Sequence, residues 1–102
     1  MKAKYYSRVV NFVVIYDISD TKTRTRLSRF LFEYGIRTQL SVFEVEVKQS
    51  QFSRFIRLLE RKIKGEKDKI YVYPIDKKNY ERIFRLGREG NYLIDDFFIW
   101  QV

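Results

Sequence analysis

The chain contains no cysteine and no histidine, and those two absences remove a large share of protein chemistry. Disulfide frameworks, the usual zinc ligand sets, thiol nucleophiles and histidine-centred triads are all excluded. Any catalysis has to draw on carboxylates, tyrosine, serine, lysine or arginine. Only one proline and four glycines are present, and neither a low-complexity stretch nor an internal repeat interrupts the sequence. No apolar run approaches the roughly 20 residues needed to span a bilayer. Met1 to Arg8 is short and polar, so the expectation is a cytoplasmic protein with no membrane partner.

What is present points elsewhere. At 102 residues the chain has room for one core and therefore one domain, 1–102. Hydrophobic residues make up 45% and aromatics 18%, enough apolar surface to offset chain entropy and exclude disorder. Twenty-one Lys and Arg against thirteen Asp and Glu leave a net charge of +8. A surplus of that size attracts polyanions by counterion release, which makes nucleic acid the expected partner.

Val9 to Tyr16 is rich in β-branched and aromatic residues and ends at an Asp17-Ile18-Ser19-Asp20 turn, the pattern of a strand. Its apolar residues fall on both faces, Val10, Phe12, Val14 and Tyr16 on one and Val9, Val13 and Ile15 on the other, so both need cover. Leu27, Phe30, Leu31 and Tyr34 form one helical stripe across Thr21 to Tyr34. Ser19 or Asp20 is placed to cap it, and Gly35 to close it in a left-handed conformation. Phe43, Val45 and Val47 alternate with Glu44, Glu46 and Lys48, which predicts a half-exposed strand. Arg37 to Gln39 is either its beginning or a separate strand turning near Leu40 and Ser41. Gln51 to Lys64 repeats the helical stripe, and Ile70 to Ile75 is a further strand whose Pro74 favours an end or an edge. Asp76 is placed to cap a short helix carrying Tyr80, Ile83 and Phe84. Gly87 and Gly90 mark a loop before a last apolar segment, Tyr92 to Val102.

With the hairpin accepted, the order is that of an α+β, ferredoxin-like βαββαβ sandwich, preceded by a short extension (1–8) and followed by an extra C-terminal strand (91–102). Two helices cover one face of such a sheet only. A second copy of the chain would cover the other, in a two-fold homodimer with the C-terminal strand crossing to its partner; the competing arrangement folds that strand onto its own sheet.

Among residues able to carry chemistry, Asp17 sits where a strand meets a turn, held by rigid elements yet open to solvent. It is either a turn residue or a ligand for a hard cation such as Mg²⁺. One carboxylate holds Mg²⁺ poorly, but a dimer axis beside this strand end would pair two copies of Asp17. Asp20 competes for that role, though its spacing before Thr23 favours an N-cap. Lys22, Arg24, Arg26 and Arg29 cluster at the start of the first helix, with Arg37 just beyond it. They form either a phosphate-reading surface or an ordinary solvated face; a basic cluster set against the helix dipole favours the former. The basic run from Arg54 to Lys69 supports either reading equally. Tyr16 could position a phosphate or a water through its hydroxyl, or be core, and Phe43 reads as packing.

Tyr16-Asp17-Ile18-Ser19-Asp20, the Arg24/Arg26 pair, Tyr34-Gly35, the run from Arg37 through Gln39 to Ser41-Val42-Phe43-Glu44, and Tyr73-Pro74-Ile75-Asp76 together resemble the CRISPR-associated Cas-two family. The resemblance covers nearly the whole chain from about Val9 onward. It implies a ferredoxin-like fold, a homodimer, and a metal-dependent endonuclease acting on RNA or DNA in the spacer-acquisition stage of antiviral defence, beside the Cas-one integrase. By position it makes Asp17 the metal ligand at the dimer axis, with Tyr16, Arg24, Arg26, Arg37 and Phe43 the surrounding residues on which cleavage depends. The alternative is a non-catalytic dimer that holds double-stranded DNA for the integrase.

Overall fold

A computed structural model describes residues 8–86 and the backbone of residues 99–100. Strand β1 (Val9–Asp17) leads into helix α1 (Thr21–Phe32), then a hairpin of β2 (Gly35–Gln39) and β3 (Val42–Lys48). A 3-10 turn at Gln49–Gln51 opens helix α2 (Phe52–Glu60), which is followed by strand β4 (Lys69–Ile75), a one-turn helix α3 (Lys77–Tyr80) and a two-residue strand β5 (Arg85–Leu86). The main sheet has the order β2-β3-β1-β4 with all neighbours antiparallel. That is the split βαβ arrangement expected, with the hairpin as two separate strands and both long helices on one face.

The central strand explains why. Phe12, Val14 and Tyr16 of β1 are buried, together with Phe43, Val45 and Val47 of β3, against Leu27 and Leu31 of α1 and Phe55 and Leu59 of α2. Aromatic contacts tie the layers together. Phe12 stacks on Phe52 with ring centroids 4.9 Å apart, and Tyr34 meets Phe55 edge to face at 4.8 Å. Asp20, not Ser19, caps α1, accepting from the Thr23 backbone N–H at 2.9 Å. Asp76 caps α3 by the same device, accepting from Asn79 N–H.

The structure corrects several expectations. Helix α1 ends at Phe32 and α2 spans only Phe52–Glu60, because tight turns bring the Tyr34 N–H to the Leu31 carbonyl and the Lys62 N–H to the Leu59 carbonyl. Gly35 does not close α1 in a left-handed conformation, since no described glycine has a positive φ. It is the first residue of β2, and its hydrogen points straight at the Glu44 carbonyl of β3. Glu44, expected to face solvent, is 8% exposed, because Arg85 folds over that side of the sheet and pairs with its carboxylate. Helix α3 stops at Tyr80, short of Ile83 and Phe84, and leaves Phe84 exposed.

On the face away from the helices, Val13 and Ile15 are half-buried. Opposite them on β4, Tyr73 and Tyr71 are about half exposed, at 50% and 47%, their rings stacked at 6.3 Å. Among the described strands β4 is an edge, and its Pro74 lies opposite Phe12. Of the expected C-terminal strand, Ile99–Trp100 forms a short parallel pair with β5 of the same chain; the rest of 91–102, and residues 1–7 of the N-terminal extension, lie outside the described residues. Among the described residues no helix is long and apolar enough to cross a membrane.

Candidate active site

The end of β1, the middle of α1 and the β2–β3 turn enclose a groove of 630 Å³ whose lining includes Tyr16, Asp17, Arg24, Ser28, Arg37 and Ser41. Asp17 is the last residue of β1 and lies in register with Lys69 of β4. Its side chain is exposed and makes no hydrogen bond or ion pair with the described residues. Its backbone is paired with β4, and the preceding residue is tied on the other side by the Tyr16 N–H donating to the Ser41 carbonyl at 3.1 Å, while its carboxylate stays open to a ligand.

Arg24 is less free than a helix-face arginine. It reaches back from α1 and donates through Nη1 to the carbonyls of Ile18 (2.9 Å) and Ser19 (2.6 Å), and through Nη2 to Thr21 Oγ1 (3.0 Å). The guanidinium therefore braces the turn that follows Asp17 while still lining the groove. Arg37, on β2, sits in the angle between two edge-to-face rings, with its guanidinium carbon 5.5 Å from the centroids of both Phe32 and Phe43. Those contacts desolvate it and fix its plane. Phe43 is fully buried beneath it, so it acts by packing, as its alternation indicated. Tyr16 is 3% exposed, its hydroxyl 3.0 Å from both Ser28 Oγ and the Leu40 carbonyl. Arg29 is exposed at the rim.

The remaining basic candidates lie elsewhere. Lys22 and Arg26 line a separate surface depression of 780 Å³ with Asp20, Lys64 and Lys67. Asp20 spends one carboxylate oxygen on Thr23, accepting from its hydroxyl at 2.8 Å and from its backbone N–H. Those two bonds hold its pKa below the ordinary 3.8. The α1 cluster seen in the sequence is thus divided, with Arg24, Arg29 and Arg37 beside Asp17 and Lys22 and Arg26 around the corner.

Sequence reasoning did not single out Ser28. It is 7% exposed, and the Arg37 Nη2 donates to its hydroxyl at 2.8 Å. The available signal was a hydroxyl directly beside Leu27 on the buried side of an amphipathic helix, a position that demands a partner.

A divalent hard cation wants about six oxygen ligands. Among the described residues no three His, Cys, Asp or Glu side chains converge, and one chain brings a single carboxylate, Asp17, to the groove. From the described residues one chain therefore supplies a single carboxylate, too few ligands to hold such an ion by itself.

Three comparisons bear on this geometry. The family model described as "CRISPR associated protein Cas2" matches residues 10–83. The chain is 33% identical over 89 residues to the "CRISPR-associated endoribonuclease Cas2" of Thermus thermophilus, covering 87% of this chain and 95% of that one. Its fold is similar to the crystal structure of Streptococcus pyogenes Cas2, with 27% identity, a TM-score of 0.66 and coverage of 72% of this chain and 94% of that chain. It is also similar to a chain of a structure described as a partial Cas6-RT-Cas1–Cas2 complex, with 32% identity, a TM-score of 0.61 and coverage of 72% and 81%.

Proposed function

The chain belongs to the CRISPR associated protein Cas2 family, and from that premise we propose that it is a CRISPR-associated endonuclease, hydrolysing phosphodiester bonds of RNA or DNA as a homodimer at the spacer-acquisition stage. The observation that carries this reading is Asp17, an exposed carboxylate without a partner among the described residues, set on a rigid strand end in a groove that also holds Arg24 and Arg37. The relatives' name, endoribonuclease, supports the reaction class. The Cas1–Cas2 complex among the similar structures supports a Cas1 partner.

Each residue has a distinct task in this reading. Arg37, desolvated by Phe32 and Phe43, offers a planar donor edge to a phosphate oxygen, where a guanidinium is worth more than in bulk water. Arg24 holds the turn after Asp17 so that the carboxylate does not drift, and Arg29 adds positive field at the rim. Lys22 and Arg26 extend the contact along the nucleic-acid backbone beyond the groove. The part of the sheet face with Val13, Ile15, Tyr71 and Tyr73, partly exposed among the described residues, is where a second copy docks, bringing a second Asp17 to complete a site for Mg²⁺. A bound ion would supply charge neutralisation at the phosphate and a more acidic water.

The test compares wild type with Asp17→Ala and Asp17→Asn on single-stranded RNA and double-stranded DNA, with Mg²⁺ or with chelator. Losing a ligand worth a few kcal/mol at the transition state lowers the rate about 100-fold or more. Equal cleavage by wild type and both variants would show that Asp17 does not carry the activity. Loss of nucleic-acid binding in an Arg24/Arg26/Arg37 triple alanine variant, with cleavage absent from every form, would leave the protein as a DNA-holding dimer.

A further inference from the structure

We infer that Ser28 is a positioning residue of this groove, aiming the Arg37 guanidinium through a hydrogen-bond chain whose direction is fully determined. The inference rests on the reading of the groove as a phosphodiester site and adds to it a residue and a mechanism of orientation.

The direction follows from counting protons. The Leu40 carbonyl can only accept, so the single hydroxyl proton of Tyr16 is committed to it at 3.0 Å. A guanidinium can only donate, so Ser28 Oγ accepts from Arg37 Nη2 at 2.8 Å. The contact of 3.0 Å between Ser28 and Tyr16 then has one possible donor, the Ser28 hydroxyl. The chain runs from Arg37 to Ser28, to Tyr16, to the Leu40 carbonyl. It links α1 to β1, β2 and the β2–β3 turn.

Two consequences follow. The Tyr16 hydroxyl has no proton to offer a ligand at Asp17; its work is to hold the turn whose Leu40 stands 83% exposed at the rim. Ser28 is also the acceptor that sets how Arg37 is rotated. The Phe32 and Phe43 rings constrain the guanidinium plane but leave rotation within that plane open, and the Arg37 Nε is buried with no hydrogen-bond partner. A serine inside a helix ordinarily satisfies itself on the carbonyl one turn back. This one reaches instead to side chains on two strands, which local helix chemistry does not require.

The experiment has two readouts, so that this inference and the groove reading fail separately. In ¹⁵N-labelled protein, the Arg37 Nε–H resonance reports how firmly the guanidinium is held. Ser28→Ala should broaden it or raise its solvent exchange about tenfold, as expected for losing a hydrogen bond to a charged group. Ser28→Thr, which retains the hydroxyl, should restore it. An unchanged resonance in Ser28→Ala overturns the inference whatever the activity. For function, a double-variant cycle on RNA binding and cleavage compares Ser28→Ala, Arg37→Ala and the pair. Coupling through Arg37 predicts that Ser28→Ala costs about tenfold in kcat/KM in the wild-type background and nothing further once Arg37 is gone. It also predicts that each single variant lowers the salt slope of binding by about one phosphate contact. Additive losses overturn the inference. Wild-type binding and cleavage by Arg37→Ala overturn the groove reading, while the resonance still decides the role of Ser28. If Ser28→Ala does not fold, Ser28→Cys keeps the volume with a far weaker acceptor and should give the same loss of signal.

Discussion

Replacing Gly35 by alanine is the most incisive test of how the groove is held in shape. A Cβ at this position would lie 1.9 Å from the Glu44 carbonyl oxygen, 2.7 Å from the Val45 Cα and 2.8 Å from the Glu44 carbonyl carbon. All three are backbone atoms of β3, so no side-chain rotation relieves the clash, and β2 has to withdraw by about 1 Å or more in a sheet whose strands sit roughly 4.8 Å apart. That movement opens the Gly35–Val45 bridge and the bond from the Glu46 N–H to the Tyr34 carbonyl. Overpacking of this kind costs about 1–3 kcal/mol, and each lost backbone hydrogen bond adds about 0.5–1.5 kcal/mol. A total near 3 kcal/mol corresponds to a fall in Tm of roughly 12–24 °C for a domain of this size. Urea unfolding followed by circular dichroism at fixed protein concentration measures it directly. Arg37 is two residues along the same strand, so nucleic-acid binding should weaken in parallel. Gly35→Asn separates cross-strand contact from helix capping: an asparagine is tolerated at a left-handed cap but is at least as damaging as alanine against β3. Either variant remaining within about 0.5 kcal/mol of wild type would refute the reasoning.

The pair on the other side of the sheet gives a second test. Removing a carboxylate from a buried guanidinium costs about 3–5 kcal/mol, so Glu44→Ala should unfold far more easily than Glu44→Gln. The Tyr80 hydroxyl is held above its ordinary 10.0, first by burial and then by the Glu44 charge and hydrogen bond. The folded state therefore prefers neutral Tyr80, and its contribution is intact below pH 10 and lost as pH rises through the raised value. An NMR titration should show Glu44→Gln moving Tyr80 back toward 10.0; an unmoved midpoint would remove Glu44 as a cause. Asp20 works with the opposite sign. Its lowered pKa gives stability that is present above about 3.8 and lost as pH falls through the folded value. Asp20→Asn, still a capping acceptor, should stay folded at neutral pH yet show a shallower acid limb in urea midpoints, and superimposable limbs would count against the cap's charge.

Much of the architecture was legible because α1, β3 and α2 each carry a clear apolar period and β1 is a run of β-branched and aromatic residues ending in a turn. Asp17 and Arg24 drew attention as a carboxylate at a strand end and a basic residue at a helix start, and Arg37 as a further arginine just beyond that helix. Some misreadings come from contacts between strands or between residues distant in sequence, others from local turns that the apolar period does not show. Gly35 follows a helical stripe and so resembles a cap, while its real constraint is a carbonyl on the neighbouring strand. Glu44 alternates outward, but Arg85, 41 residues later, closes over it. The helix-face arginines looked equivalent, yet the Arg24 guanidinium is turned back onto its own turn and Arg26 points away into a different depression. Ser28 left almost no trace, since a lone hydroxyl in a helix acquires meaning only when Tyr16 and Arg37 converge on it.

The single proline has a consequence for the molecule in crowded solution. Within a sheet, a proline's nitrogen points away from its paired neighbour, so Pro74, paired with Phe12 of β1, turns its donor-less position outward along the β4 edge. Val72 and Ile70 share that outward orientation and keep their N–H groups. An added strand can therefore zip onto the first part of β4 but finds no hydrogen-bond donor at Pro74. Open edges of apolar strands are templates for runaway pairing between molecules. Here the template is short, so the edge offers a pairing strand only a brief, defined segment.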